Sequence, residues 1–398
     1  MADSRSLLLL GVGALLAIVV IGALVLPSYL NQSSPAPANQ EKIRLMYATA
    51  GDINMLALMQ NVIAPMYENK TPNVMINTIH TGPGDAGSRL IFEKLKAAKD
   101  AGKACWDIDV AVVHQIFMSW ALPENLLLPY AKNTSTWKLV TSQHAFNALG
   151  TPMEGYGIPL FHSQIAIAYN TKYVKSPPKS YAELVEWVKQ NPGKFGYNGV
   201  KGGMSGVGFV VGWVYWKSGE YEKLTKGPYD EGLKGKIEAA LQELKEFNKN
   251  VRITAGNVGT LDMLAREEIW MGPVWVDMFY TWMNEGKIPE HIRLFIPEPG
   301  LPGQPMYLVI PAKACNVKEA MKLIEFISSP ETQAKVIVER YNWYPGIDGS
   351  YVMDKVSERA KNRIFGDITP DVLKRLGRPF PLSRYLSDIT SSYEKVVG

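Results

Sequence analysis

Residues 43–113 repeat one pattern: a short apolar strand, a polar break, a helix, and a strand again. IRLMYA (residues 43–48) alternates as a strand and is broken by TAGDIN. LALMQNVIAPMYENK has helical spacing up to a proline and a polar stop, and VMINTIHT (residues 74–81) is a second strand. GPGDAG forms a loop, SRLIFEKLKAAKDAG a strongly periodic helix capped at Gly102, and DIDVAVV (residues 107–113) a third strand. After Asp109 that strand is continuously apolar, as a strand covered on both faces should be. This strand–helix alternation is that of a parallel-rich α/β sheet with right-handed crossovers.

The 398 residues exceed what one core holds, so two domains are expected. With 42 basic and 38 acidic residues the net charge is +4, and no long Lys/Arg run exists, which argues against a nucleic-acid partner. Ten Trp and 19 Tyr fit either a large aromatic core or aromatic platforms in a ligand cleft, and composition alone favours the core.

Residues 7–26, LLLLGVGALLAIVVIGALVL, carry no charge. As a helix they span about 30 Å, one bilayer core. The run exceeds the usual apolar stretch of a cleaved signal. Arg5 precedes it and the next cation is Lys42, which points to an N-terminus inside and the remainder outside. Residues 27–41, rich in Pro, Ser and Asn, read as a tether. The Ala36-Pro37-Ala38 triplet keeps a cleaved signal open, with secretion as the result. The remainder is therefore expected outside the cytoplasm, where Asn31, Asn69 and Asn133 begin glycosylation triplets. In that compartment Cys105 and Cys315 either pair or stay as two buried thiols, and the sequence leaves both open.

Further along, GIPLFHSQIAIAYN reads as a strand, SPPKS ends it, and Ser180 with Glu183 forms a capping box for the next helix. MYLVIPAKACN is a late strand with a proline exit, followed by two helices, the second capped by Ser329 ahead of Pro330. The last fifty residues look helical and charged and carry no interpretable motif.

Four stretches together resemble the extracellular solute-binding proteins of ABC importers, the two-crossover kind that binds sugars, polyamines or iron. They are IPLFHSQIAIAYNTKYVKSPPKSYAELVEW, EEIWMGPVWVDMF, IPEPGLPGQPMYLVIPAKACN and EAMKLIEFISSPETQAKV. NPGKFGYNGVKGGMSGVGF is further similar to a YnjB-like subgroup. The resemblance implies an α/β, two-lobe periplasmic-binding-protein-like (type II) fold, preceded here by the N-terminal transmembrane helix. Its first lobe would hold residues 42–155, completed by about 306–360, and its second residues 156–305, with 361–398 as C-terminal helices. It also implies an ABC permease as partner, a monomer, no cofactor, and a solute bound between the lobes.

Ligand contacts are expected just after strands and at helix starts. Thr49 and Asp52 follow the first strand, Gly84 the second and His114 the third. Ser163 lies in the crossing strand; Ser205 and Gly206 open a helix where amides can grip an anion or hydroxyl. Trp275 and Asp277 combine an aromatic face with a carboxylate, and Tyr307 starts the return strand. Each of these also has an ordinary structural reading, as turn, cap or core. There is no GxSxG, HExxH or CxxC, and the five histidines form no HxH or HxxxH pair, so neither an enzyme nor a metal site is expected. A sugar or oligosaccharide leads among solutes on aromatic content; a cationic metabolite, an oxyanion or an iron complex are alternatives. A carbohydrate-active enzyme or a structural surface protein would be the readings from other classes.

Overall fold

The computed structural model describes residues 42–398. The apolar run 7–26 and the tether, read above as anchor or signal and linker, lie outside the described residues. Among the described residues no helix is long and apolar enough to cross a membrane.

Three strands, β1 (Ile43–Ala50), β2 (Val74–Gly82) and β3 (Val110–Val113), pair in parallel in the order β2-β1-β3. β3 is buried throughout, as its apolar run requires. The crossover between β2 and β3 is helix α1 (Gly84–Asp100), whose Ile91, Leu95 and Ala98 form one buried stripe at helical spacing. The long strand β4 (Gly157–Asn170) then enters, followed by β5 (Phe195–Tyr197), β6 (Val251–Ile253), β7 (Met271–Trp275), β8 (Ile292–Phe295) and β9 (Leu301–Val309). The principal order is β2-β1-β3-β9-β4-β7-β5-β6, with β8 on β4.

Two parallel groups, β2-β1-β3 and β7-β5-β6, are thus joined through two antiparallel strands. β4 belongs to both: residues 157–164 pair with β9, and residues 165–169 pair with β7. At the change of partner the Gln164 side chain donates to the carbonyls of Leu301 (2.7 Å) and Ile165 (2.9 Å), closing backbone groups that the split leaves open. Gly303 lies opposite; a Cβ there would come 2.5 Å from Gln164 Oε1 and 2.7 Å from the Ser163 carbonyl. The result is a two-lobed α/β molecule.

Helix α2 (Tyr181–Gln190) starts where the sequence places it, with Ser180 Oγ accepting from the Glu183 amide at 3.2 Å. The return contact differs from expectation. Glu183 accepts from the Lys179 amide (2.8 Å) instead of the Ser180 amide. Helix α3 (Met204–Ser218) is buried without interruption from Met204 to Tyr215, and helix α4 (Lys234–Phe247) packs beside it. Cys105 and Cys315 are disulfide-bonded, tying the approach to β3 to the exit of β9.

The C-terminal segment bonds to the second lobe, where Asp367 accepts from the Leu294 amide and the Leu382 amide donates to the Leu224 carbonyl. It then bonds to the first lobe through the Ser383 amide and the Leu149 carbonyl. Helix α5 (Ser383–Val396) then packs on α4, held by Tyr385 Oη with the Asp230 amide (2.7 Å) and Tyr393 Oη with Tyr197 Oη (3.1 Å).

Candidate functional site

The strands of both parallel groups end at one cavity of about 620 Å³. This is the crevice at the carboxyl ends of strands where open α/β sheets bind ligands. Gly51 and Asp52 reach it from β1, Gly84 and Asp85 from the loop after β2, and His114 from the end of β3. Asn257 arrives from the turn after β6, and Trp275 with Asp277 from the end of β7. Alternation along the crossing strands supplies the floor: Phe161 and Ser163 from β4, Gln304 and Met306 from β9.

Two carboxylates dominate the electrostatics. Asp277 begins the helix Val276–Asn284 and is buried; the Ser163 hydroxyl donates to it. Burial raises its pKa from 3.8 to about 6, against the Ser163 bond, and the charge of Asp52 adds to the rise. Burial also raises the Asp52 carboxyl, opposed by the Asn257 side chain and the imidazoles of His114 and His80. His114 Nδ1 lies 3.0 Å from Asp85 Oδ1, and His80 Nε2 donates to the Gly51 carbonyl at 2.8 Å. Lys201 is the one Lys or Arg lining the cavity among the described residues, and it pairs with Glu394 at 3.5 Å. The described residues hold no group of three or more metal-ligating side chains.

Six of the ten residues singled out by sequence line the cavity: Asp52, Gly84, His114, Ser163, Trp275 and Asp277. Trp275 and Asp277 do so without sharing an extended segment, since one ends β7 and the other sits in the first turn of a helix. The other four lie elsewhere. Thr49 is buried, with its hydroxyl donating to the Ala50 carbonyl. Ser205 is buried too, donating to Asn257 Oδ1 (2.7 Å), so it acts on the cavity through Asn257. Gly206 is a packing position, where a Cβ would meet the Gly199 carbonyl at 1.9 Å. Tyr307 follows Met306 and so faces away, donating to the His144 carbonyl at 2.6 Å.

Several lining residues escaped the sequence reading. Gln304 was detectable as a polar residue two positions before Met306 in an apolar strand. Asn257 had a clearer signal: TAGN (residues 254–257) repeats TAGD (residues 49–52), each at the end of a strand, one per lobe. Gly51 and Gly256 both have positive φ, +109° and +80°, which allows the same abrupt turn. Asn257 Oδ1 accepts from Ser205 and from Asn198 Nδ2, leaving its amide nitrogen for the cavity side. Leu386, Ser387 and Thr390 come from α5, where no motif pointed.

A two-lobed frame with a cavity at the strand ends, largely apolar and carrying a few polar groups, is the arrangement of a binding protein for small solutes. The family model for bacterial extracellular solute-binding proteins matches residues 65–363, and the chain belongs to that family. No curated protein matches the sequence. Among solved structures the fold is similar to maltose-bound MalE3 of T. maritima, at 15% identity and TM-score 0.72, covering 89% of this chain and 95% of that one. It is also similar to the Tp0655 (TpPotD) lipoprotein of Treponema pallidum, at 16% identity and TM-score 0.66, covering 89% and 99%. A third similar structure is the spermidine/putrescine ABC transporter substrate-binding protein PotD of Streptococcus pneumoniae, at 16% identity and TM-score 0.63, covering 90% and 100%.

Proposed function

We propose that this extracellular solute-binding protein captures a small cationic solute between its lobes and delivers it, without chemical change, to an ABC permease. The observation that carries the solute class is the pair Asp52 and Asp277. One comes from each lobe, and both are raised by burial. Two carboxylates held in one desolvated crevice repel each other, and a cation between them restores both to the charged state. Lys201, already paired with Glu394, leaves that negative character in place. Trp275 adds an aromatic face, which attracts cations, whereas the Arg89 guanidinium already lies over the ring of Trp120, 3.9 Å from its centroid.

The aromatic content behind a sugar reading lies mostly away from the cavity. Of ten Trp, Trp120 and Trp275 line it, whereas Trp106, Trp213 and Trp343 are fully buried. A sugar remains the second reading, favoured by those two faces together with Gln304 and Asn257.

The lobes would open and close by bending where β4 changes partner, with Asn257 of the second lobe beside Asp52 of the first. Residues 7–26 would tether a monomer to the outer face of the cell membrane, or direct its secretion if they are cleaved.

Calorimetric titration with putrescine, spermidine, thiamine and maltose tests the solute class. Binding of an amine that is lost in Asp277→Asn is the expected result. Binding of maltose alone would replace the cationic reading with the sugar one.

A further inference from the structure

We infer that the C-terminal helix α5 is a specificity wall of the cleft, presenting hydrogen-bond acceptors to donor groups along the solute. The family match ends at residue 363 and so assigns this helix nothing. Yet Leu386, Ser387 and Thr390 line the cavity. Residues three and four apart share a helix face, so the three form one short strip.

The chemistry of the strip follows from where its hydroxyl hydrogens go. Ser387 Oγ donates to the Ser383 carbonyl at 3.0 Å, and Thr390 Oγ1 donates to the Leu386 carbonyl at 3.0 Å. A hydroxyl has one hydrogen and two lone pairs. With the hydrogens committed to the helix backbone, both side chains offer acceptors to the cavity. They lie in the same cavity as Asp52 and Asp277, which accept when ionised. Leu386, nearly buried, supplies the apolar contact between them. A solute with a chain of N–H donors fits this wall. One of the same length carrying acceptors at those positions leaves Ser387 and Thr390 opposed by lone pairs.

The helix is built to hold that position. Tyr385 and Tyr393 bond to the second lobe, as described above, and the Asp388 carboxylate accepts from Tyr229 Oη at 2.7 Å. Glu394 pairs with Lys201, so the helix also neutralises the lysine on the cavity wall. Its N-terminus touches the first lobe through the Ser383 amide and the Leu149 carbonyl (3.0 Å), which fixes the strip where the lobes meet.

The inference rests on the cationic-solute reading, and the test separates the two. The full chain, Ser387→Ala/Thr390→Val and Asp277→Asn are titrated with putrescine, spermidine and thiamine, and their melting temperatures are compared. The expected result is amine binding about tenfold weaker in the double variant, at an unchanged melting temperature. The loss should be larger for spermidine than for putrescine, whose chain carries fewer donors. Unchanged amine affinity in the double variant, with binding lost in Asp277→Asn, overturns the wall and leaves the cationic reading standing. Failure of the parent chain to bind any of the three amines overturns both. As a second variant, Ser387→Trp adds volume to the strip, and the wall requires it to reject spermidine; retained spermidine binding would also overturn it.

Discussion

Ser163, on the strand shared by both halves of the sheet, donates its hydroxyl to Asp277, in the first turn of the helix that follows β7. The bond supports a buried carboxylate beside the point where β4 changes partner. Asp277 is fixed from its backbone as well, since its carbonyl accepts from Trp343 Nε1 (2.9 Å) and Thr281 Oγ1 (2.8 Å). Ser163→Ala removes one donor and leaves the carboxylate in place. The expected cost is ~1–3 kcal/mol of stability at neutral pH, the usual penalty for a buried acceptor left unpaired. The Asp277 carboxyl should also titrate above its present value of about 6. Urea unfolding and a carboxyl NMR titration check both; an unmoved Asp277 titration would show that the hydroxyl does not support the charge.

The pH dependence follows from the direction of that shift. The folded pKa of Asp277 is about 6, above its ordinary value of 3.8, so between those values the folded chain holds a proton that the unfolded chain has released. The slope of stability with pH is then negative across that window. For this group, the apo protein gains stability as the pH falls from above 6 towards 4. Affinity for a cation runs the other way: it is fully present above pH 6 and declines as the pH drops and the carboxyl is neutralised. Titration with spermidine at pH 7.5 and pH 5 should show the decline. A parent profile without a step near pH 6 would remove Asp277 from the cation's contacts.

What was legible in the sequence was what is local. Strand and helix periods depend on nearest neighbours, so β1, β2, β3 and the helix between the last two could be read from spacing. The rule that ligands meet the ends of parallel strands then reached Asp52, Gly84 and His114. It failed at Thr49 and Tyr307 because one residue along a strand reverses the face, and register comes from pairing partners distant in sequence. Ser205 was one contact too deep: its partner Asn257 is 52 residues away and could be linked to it only in three dimensions. Least legible was α5. Its charged surface reads as an ordinary solvated helix, and its placement depends on packing against α4 and on bonds to Asp230 and Tyr197.

The cap of α2 gives a prediction confined to stability. Ser180 accepts from the Glu183 amide, and neither residue lines the cavity. Ser180→Ala should lower stability by ~0.5–2 kcal/mol, the range for loss of an N-cap. Solute affinity measured by calorimetry should not change. Weakened affinity at an unchanged melting temperature would mean that this helix entry takes part in binding.

Trp275 is where the cleft and the core meet, and its substitution should show both. It pairs with Ile165 across β4 and β7, its ring lies 6.5 Å from that of Phe380, and only 7% of its surface is exposed. It nevertheless lines the cavity, two residues from Asp277. A cation seated at Asp52 and Asp277 therefore lies beside an indole face, and the attraction of ring and charge adds to that of the carboxylates. Trp275→Ala should weaken amine binding by more than tenfold, ~1.4 kcal/mol or more. The same change opens a void, so the apo protein should also lose up to ~3–5 kcal/mol, the range for a large aromatic cut to alanine. The two effects separate if binding is measured at a temperature where the variant is fully folded. A variant that loses stability yet binds amines with parental affinity there would assign Trp275 to the core alone.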